Sequence, residues 1–198
     1  MENTKMLVLT AMMTAITAVC AVISVPLPFS PVPVSLATLA VLISGGLLGA
    51  KYGAVSQAIY LLLGAVGVPI FHSFTGGVGI LVGPTGGFLV GYVLMAAVFG
   101  WLVNAAFRHE KGGSEPHPLQ ESGSSAKGRK SQLLCFLLSA VIATVACYIP
   151  GAAWFVFATK STLTAAFTMA ILPFIPVDIL KCIIAAWLVS RLQRINLN

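Results

Sequence analysis

Apolar runs broken by short clusters of Pro, Gly or polar residues follow one another along almost the whole chain. The first extends from Met6 to about Val25 and stops at Pro26, Pro28, Pro31 and Pro33. About 20 apolar residues cross a bilayer as a helix, so this run predicts a first transmembrane span, with the proline cluster as a connecting loop. A second run, Val34 to Leu48, ends in Gly45, Gly46 and Gly49, and a third, Ala54 to Val66, follows a short polar turn at 50–53. Both are short for a bilayer, which predicts helices that tilt or sit partly inside the bundle.

The stretch 67–87 breaks this rhythm. It carries Gly67, Gly76, Gly77, Gly79, Gly83, Gly86 and Gly87 with Pro69 and Pro84, and it has no charge. Flexible linkers are rich in serine and polar residues as well as glycine. This one contains Phe71, Phe74, Ile80, Leu81 and Val82, so it is expected to fold back on the bundle as a lid or wall. A fourth span, Phe88 to Phe107, precedes the hydrophilic block 108–131, whose Ser, Gly, Pro and charged residues predict a flexible loop. A fifth span runs from Leu133 to about Phe157. After a polar break at 159–162, a second apolar stretch from Leu163 to Leu172 meets Pro173 and Pro176, and the last span runs from Val177 to about Val189.

Composition sharpens this reading. Of 198 residues, 58% are apolar and 8% charged, against about 45–50% and about 25% in soluble domains. The surplus must face lipid, which excludes a soluble enzyme, a DNA-binding module and a disordered tail. The fold class expected is all-α: a single polytopic membrane domain over 1–198 with six transmembrane helices and short or re-entrant outer segments. The net charge of +6 is explained by topology. If six spans alternate, nine of the 11 Lys and Arg residues fall on one side, Lys160 falls opposite, and Lys181 lies within the last span. The positive-inside rule then places both termini and the 108–131 loop in the cytoplasm of a multi-pass cell-membrane protein. The same asymmetry assigns the positive charge to anionic lipid rather than nucleic acid. The N-terminal run is too long for a cleavable signal core, and it is read as a retained helix.

Candidate chemistry is sparse. Cys20, Cys135, Cys147 and Cys182 lie in apolar stretches without metal or redox spacing, and are read as packing residues. His109 and His117 fall in the hydrophilic block without partners, and His72 reads as a loop histidine. Gln57 and Tyr60 could equally be ligand contacts or interhelical hydrogen bonders. Trp101, Trp154 and Trp187 read as interface or packing aromatics. No metal site and no catalytic set emerges.

Asp178 and Lys181 stand out. Asp178 is the only Asp in the chain, and an ionisable residue at mid-span costs about 2.5–3.5 kcal/mol on insertion scales. The i, i+3 spacing puts both on one helix face. Pro176 is a good first-turn residue, so Asp178 sits near the positive end of the helix dipole. One reading is a self-satisfied ion pair that fixes the helix start. The other is a polar foothold for a small ligand entering from outside. On the first span, Ala11, Ala15 and Ala18 form a small-xxx-small stripe that suits either internal packing or docking of another helix.

The ordered motifs resemble the BioY family, the biotin-capturing S components of energy-coupling-factor (ECF) vitamin transporters. They are Ser24–Pro28 (Ser-Val-Pro-Leu-Pro), Pro31–Val34, Thr38–Leu42 followed by Gly45–Gly49, Tyr60–Gly67, Gly83–Gly87 (Gly-Pro-Thr-Gly-Gly) and the closing Pro173–Lys181 (Pro-Phe-x-Pro-x-Asp-x-x-Lys). Ala37 stands where the family often has Gln, and Phe88 where it usually has Tyr. The resemblance implies an ECF S-component-like six-helix subunit that binds biotin at its outer face. It also implies partners: a transmembrane coupling protein, docked through Ala11 and Ala15, and two cytoplasmic ATPases. The subunit itself would use no cofactor, since ATP is spent by the partners. The expected substrate-binding set is Asp178 and Lys181, with Gly76, Gly77, Gly79, Thr85, Gly86 and Gly87 of the glycine-rich wall. A stand-alone secondary transporter and a capture subunit for another small vitamin are the alternatives. An intramembrane enzyme is not expected, because no nucleophile–base pair, paired carboxylates or metal ligands lie within the spans.

Overall fold

The apolar runs form helices that pack side by side in the computed structural model, which describes residues 2–28, 30–112 and 124–195. Helix α1 covers Glu2–Val22, α2 Ala37–Ala65, α3 Val78–Val82, α4 Gly86–Gly112, α5 Ser124–Thr159, α6 Leu163–Ala170 and α7 Ile175–Ile195. Four of these helices (α1, α2, α4 and α5) are long and apolar enough to cross a membrane. The α6–α7 pair, bent by 56°, passes the same test as a unit, the form of a broken span or a re-entrant loop.

Helix α2 is itself two rods. Gly49 has φ 76° and ψ 178°, outside helical space, a conformation open to glycine and strained for any residue with a Cβ. The chain folds back there. A Cβ on Gly53 would lie 2.8 Å from the Gly45 Cα, and the Gln57 Nε2 donates to Ser44 Oγ at 3.0 Å. In a continuous helix, 13 residues would separate these two by roughly 20 Å. The second and third spans expected from the sequence are therefore the two arms of this turn, and with α1, α4, α5 and the α6–α7 pair they make six apolar rods.

Small residues let the rods approach closely. A Cβ on Gly45 would meet the Ala96 carbonyl oxygen at 2.4 Å, and one on Gly100 the backbone of Gly49 and Ala50 at 2.5 Å. The main core gathers Val41, Leu42, Tyr60, Met95, Phe99, Phe136 and Val189. Polar side chains within it bond across rods: Thr14 Oγ1 lies 3.1 Å from Ser56 Oγ, and the Gln57 Nε2 bridges Thr17 and Ser44. The outward faces of α1 and α5 are apolar instead, with Leu7, Val8, Met12, Ile16 and Val19 exposed on one and Leu134, Leu138, Ile142 and Ile149 on the other. That inversion suits a lipid surround.

Three expectations are corrected. The proline segment is not a featureless loop: Ser24–Leu27 (β1) and Ser30–Ser35 (β2) pair antiparallel, with Val25 opposite Val34. In a two-stranded ribbon every strand is an edge, so proline can occupy positions that need no N–H, while alternation places Ser30 and Val32 inward. Helix α1 accordingly ends at Val22 rather than Val25. The hydrophilic block is shorter than 108–131, because α4 continues to Gly112 and α5 starts at Ser124. Ala126, Lys127, Arg129 and Lys130 are good helix formers and prolong the membrane helix at little cost. Residues 113–123, the middle of that expected loop, lie outside the described residues.

The glycine-rich stretch does fold back. Phe71 is fully buried, edge-on to Tyr60 with ring centroids 5.5 Å apart, and Gly77 N–H donates to the Gly64 carbonyl at 2.7 Å. Phe74 and Val82 face outward. The hairpin, this segment and α6 share one end of the bundle, and the Gly49 turn with Lys51 marks the other.

Gly100→Ala should cost about 1–3 kcal/mol, as overpacking does, because the added methyl meets only backbone. Gly79→Ala, where a Cβ meets nothing within 4 Å, should be neutral. Thermal unfolding of the two variants in detergent checks the contrast.

Candidate functional site

Helix α7 begins at Ile175 after a turn in which the Asp178 N–H donates to the Phe174 carbonyl at 2.8 Å. Asp178 therefore sits in the first turn, where the helix dipole favours its charge. Lys181 Nζ lies 2.9 Å from Asp178 Oδ1, and the two residues are 5% and 4% exposed for Asp178 and Lys181 respectively. Desolvating two charges costs several kcal/mol per ion unless further hydrogen bonds satisfy them, and those bonds come from two other helices. Thr38, in the first turn of α2, accepts from Lys181 Nζ at 2.9 Å and lies 3.4 Å from Asp178 Oδ1 as a weak donor. Tyr148 of α5 donates its phenol to Asp178 Oδ2 at 2.5 Å. One ion pair thus ties α2, α5 and α7 together.

Capacity remains. An ammonium has three donors and a carboxylate about four acceptor sites; among the described residues, Lys181 uses two and Asp178 three. A cavity of about 40 Å³ adjoins the pair, walled by β2, Phe88, Tyr92, Met95, Cys147 and Phe174. A second, of about 30 Å³, lies across Phe88 and Tyr92 and is lined by Tyr60, His72 and Thr85. Burial lowers the pKa of His72 below its usual value, so the ring is neutral at physiological pH. The walls are mostly apolar and the strong polar groups cluster at one point, the pattern of a small-molecule site.

Of the expected site residues, Asp178 and Lys181 stand together on the first cavity and Thr85 on the second. Gly76, Gly77 and Gly79 line neither. Gly76 packs on the Val68 carbonyl, and Gly77 takes φ +98°. Gly86 and Gly87 shape the start of α4: Cβ atoms there would strike the Leu81 carbonyl and Trp154. Ala11 and Ala15 lie exposed on α1, away from the cavities, and Ala18 packs against the core. Gln57 bridges α1 and the first arm of α2, while Tyr60 donates to the Ile70 carbonyl of the glycine-rich segment at 3.2 Å and lines the second cavity.

Thr38 and Tyr148 were missed. Thr38 opens the Thr38–Leu42 motif, and Tyr148 is a hydroxyl-bearing ring in the otherwise apolar fifth span. Their shared partner is 140 and 30 residues away respectively, in line with a link that only tertiary structure makes.

The family model that matches this arrangement is the BioY family, over residues 1–197. The chain belongs to the BioY family. It is 32% identical over 194 residues to the biotin transporter BioY of Thermotoga maritima, covering 98% of this chain and 99% of that one. It is 34% identical over 188 residues to the biotin transporter BioY of Rhizobium etli, covering 94% and 91% of the two chains. Among solved structures, the S-component for biotin from an ECF-type ABC transporter superposes with a TM-score of 0.77 at 25% identity, over 98% of this chain and 93% of that one. The BioY fold thus carries the buried pair where three of its helices converge.

Removing one charge strands the other in an apolar interior, which costs about 3–5 kcal/mol. Asp178→Asn and Lys181→Met alone should each lower the unfolding temperature, and the double variant should recover most of the loss. Thermal unfolding of the three proteins measures this.

Proposed function

We propose that this BioY protein is the biotin-capture subunit of an ECF-type uptake transporter. Family membership over nearly the whole chain carries the reading, and the chemistry of the buried pair supports it. The ureido ring of biotin offers N–H donors suited to a carboxylate, its valerate tail carries a carboxylate suited to an ammonium, and the rest is apolar. Asp178 then takes the ring and Lys181 the tail. Of the glycine-rich segment, Thr85 lines the neighbouring cavity, and Gly86 and Gly87 shape the start of α4 beside it.

Lys51 at the Gly49 turn and Arg191 near the end of α7 mark the cytoplasmic end by the positive-inside rule. The hairpin end, with the cavities, then faces outward, and both termini are cytoplasmic. The chain carries no phosphate-binding loop, so energy for release comes from a gradient or a partner, and the family resemblance points to two partner ATPases acting through a transmembrane coupling protein. Ala11 and Ala15 offer that protein a low, exposed stripe on α1, over which a helix can approach closely.

The purified protein should bind biotin without ATP. Lys181→Met should weaken biotin by about 1.5–3 kcal/mol, the worth of a charge-assisted hydrogen bond, or roughly ten- to a hundredfold in Kd. Biotin amide, which lacks the tail charge, should lose much less. Equilibrium binding of the two ligands to wild type and variant decides. Equal losses would remove Lys181 from the carboxylate site, and wild type that ignores biotin but binds another vitamin would overturn the substrate.

A further inference from the structure

A groove of about 540 Å³ runs between α5 and the α6–α7 pair, on the outside of the bundle. Its hydrocarbon walls, among them Val145, Ile149, Phe167 and Ile179, are exposed, and in a membrane such walls face lipid. The polar side chains of the lining already have partners within the protein. Thr144 Oγ1 donates to the Ala140 carbonyl at 2.9 Å and lies 3.4 Å from Cys182 Sγ. Tyr148 donates to Asp178, and Asp178 is held by Lys181. The groove therefore offers an occupant hydrocarbon contact and almost no hydrogen bond. Lys181 does not line it, so it is a space separate from the capture site proposed at the pair.

A polar end for the occupant stands where α5 gives way to α6. Helix α5 ends at Thr159 and α6 starts at Leu163, so the linker 160–162 joins two walls of the groove. Lys160 is exposed and takes φ 53°, a left-handed conformation that glycine adopts at less cost. What a lysine adds there is its ammonium. Alternating spans put this basic residue alone on the outer side, against the positive-inside bias. Ser161, Thr162 and Thr164 add hydroxyls along the linker and the first turn of α6. Trp154, exposed roughly two turns earlier on α5, is of a residue type enriched at the headgroup level.

We propose that the groove is a site for one anionic phospholipid of the outer leaflet, with an acyl chain lying along α5 and the phosphate held at Lys160. Walls whose polar groups are already bonded fit a hydrocarbon chain rather than a polar solute, and a single cation beyond them fits an anionic head. The chain covers the groove side of Tyr148, whose phenol binds Asp178, and keeps water off that flank of the buried pair.

The probe is a phosphatidylglycerol with a photoreactive diazirine in its acyl chain, at trace level in phosphatidylcholine nanodiscs that hold the purified protein. After illumination, mass spectrometry should find the label on the groove-lining peptides of α5 and α6–α7 severalfold more often than on the exposed α1 face from Leu7 to Val19. Equal labelling of the two faces would reveal a general lipid annulus and overturn the site. Val145→Trp should fill the groove and bring its labelling down to the α1 level, and labelling that persists overturns the site. Lys160→Gln changes an exposed residue outside the core and guards against misfolding. It should lower groove labelling about fivefold, the weight of one surface lysine towards an anionic lipid, and leave α1 unchanged. Groove labelling that stays at the wild-type level in that variant overturns the placement of the phosphate, and the proposal with it.

Discussion

A carboxylate and an ammonium three residues apart on α7, both withdrawn from solvent, need more hydrogen bonds than one helix can supply. Thr38 and Tyr148 supply them from α2 and α5. The pair is therefore a junction of three helices as well as a pair of charges. A buried ion pair is weak evidence for stability, since a hydrophobic replacement often does as well. Its value here lies in chemistry: it keeps a donor and acceptors in an otherwise apolar interior at the hairpin end of the bundle.

The rest of the bundle is arranged to leave that junction in place. Gly45, Gly53 and Gly100 bring the two arms of α2 against each other and against α4 with backbone nearly touching backbone, and the α4 side chains Phe88, Tyr92 and Met95 then form one wall of the cavity. Across from them, β2 contributes Val32, Pro33 and Ser35. Helix α6 packs apart from this wall's core, with Ala166 and Ala170 in a cluster with Val32, Phe88, Phe155 and Phe174.

Much of this was legible in the chain itself. Uncharged runs of membrane length mark the helices, the Gly45–Gly49 cluster followed by Lys51 marks the turn between two short rods, and Pro176 places Asp178 in a first helical turn. The i, i+3 spacing alone puts Asp178 and Lys181 on one face. What the sequence withheld depends on tertiary contact. The proline hairpin was hidden because proline normally argues against strands, and it is tolerated only where a strand has a free edge. Tyr148 looked like any aromatic in an apolar span until the fold brought its phenol to a carboxylate. Gly86 and Gly87 read as ligand contacts, yet their close neighbours are the Leu81 backbone and Trp154.

Because Asp178 is the only Asp in the chain, an aspartate-selective carboxyl 13C label places a single reporter at the junction. The NMR resonance of that carboxylate, followed in the purified protein as biotin is added, tests the central claim most directly. The account predicts a shift that saturates together with biotin occupancy measured by radioligand. A resonance that stays in place while biotin is bound would show that the ligand sits elsewhere and that the ion pair serves only to join helices.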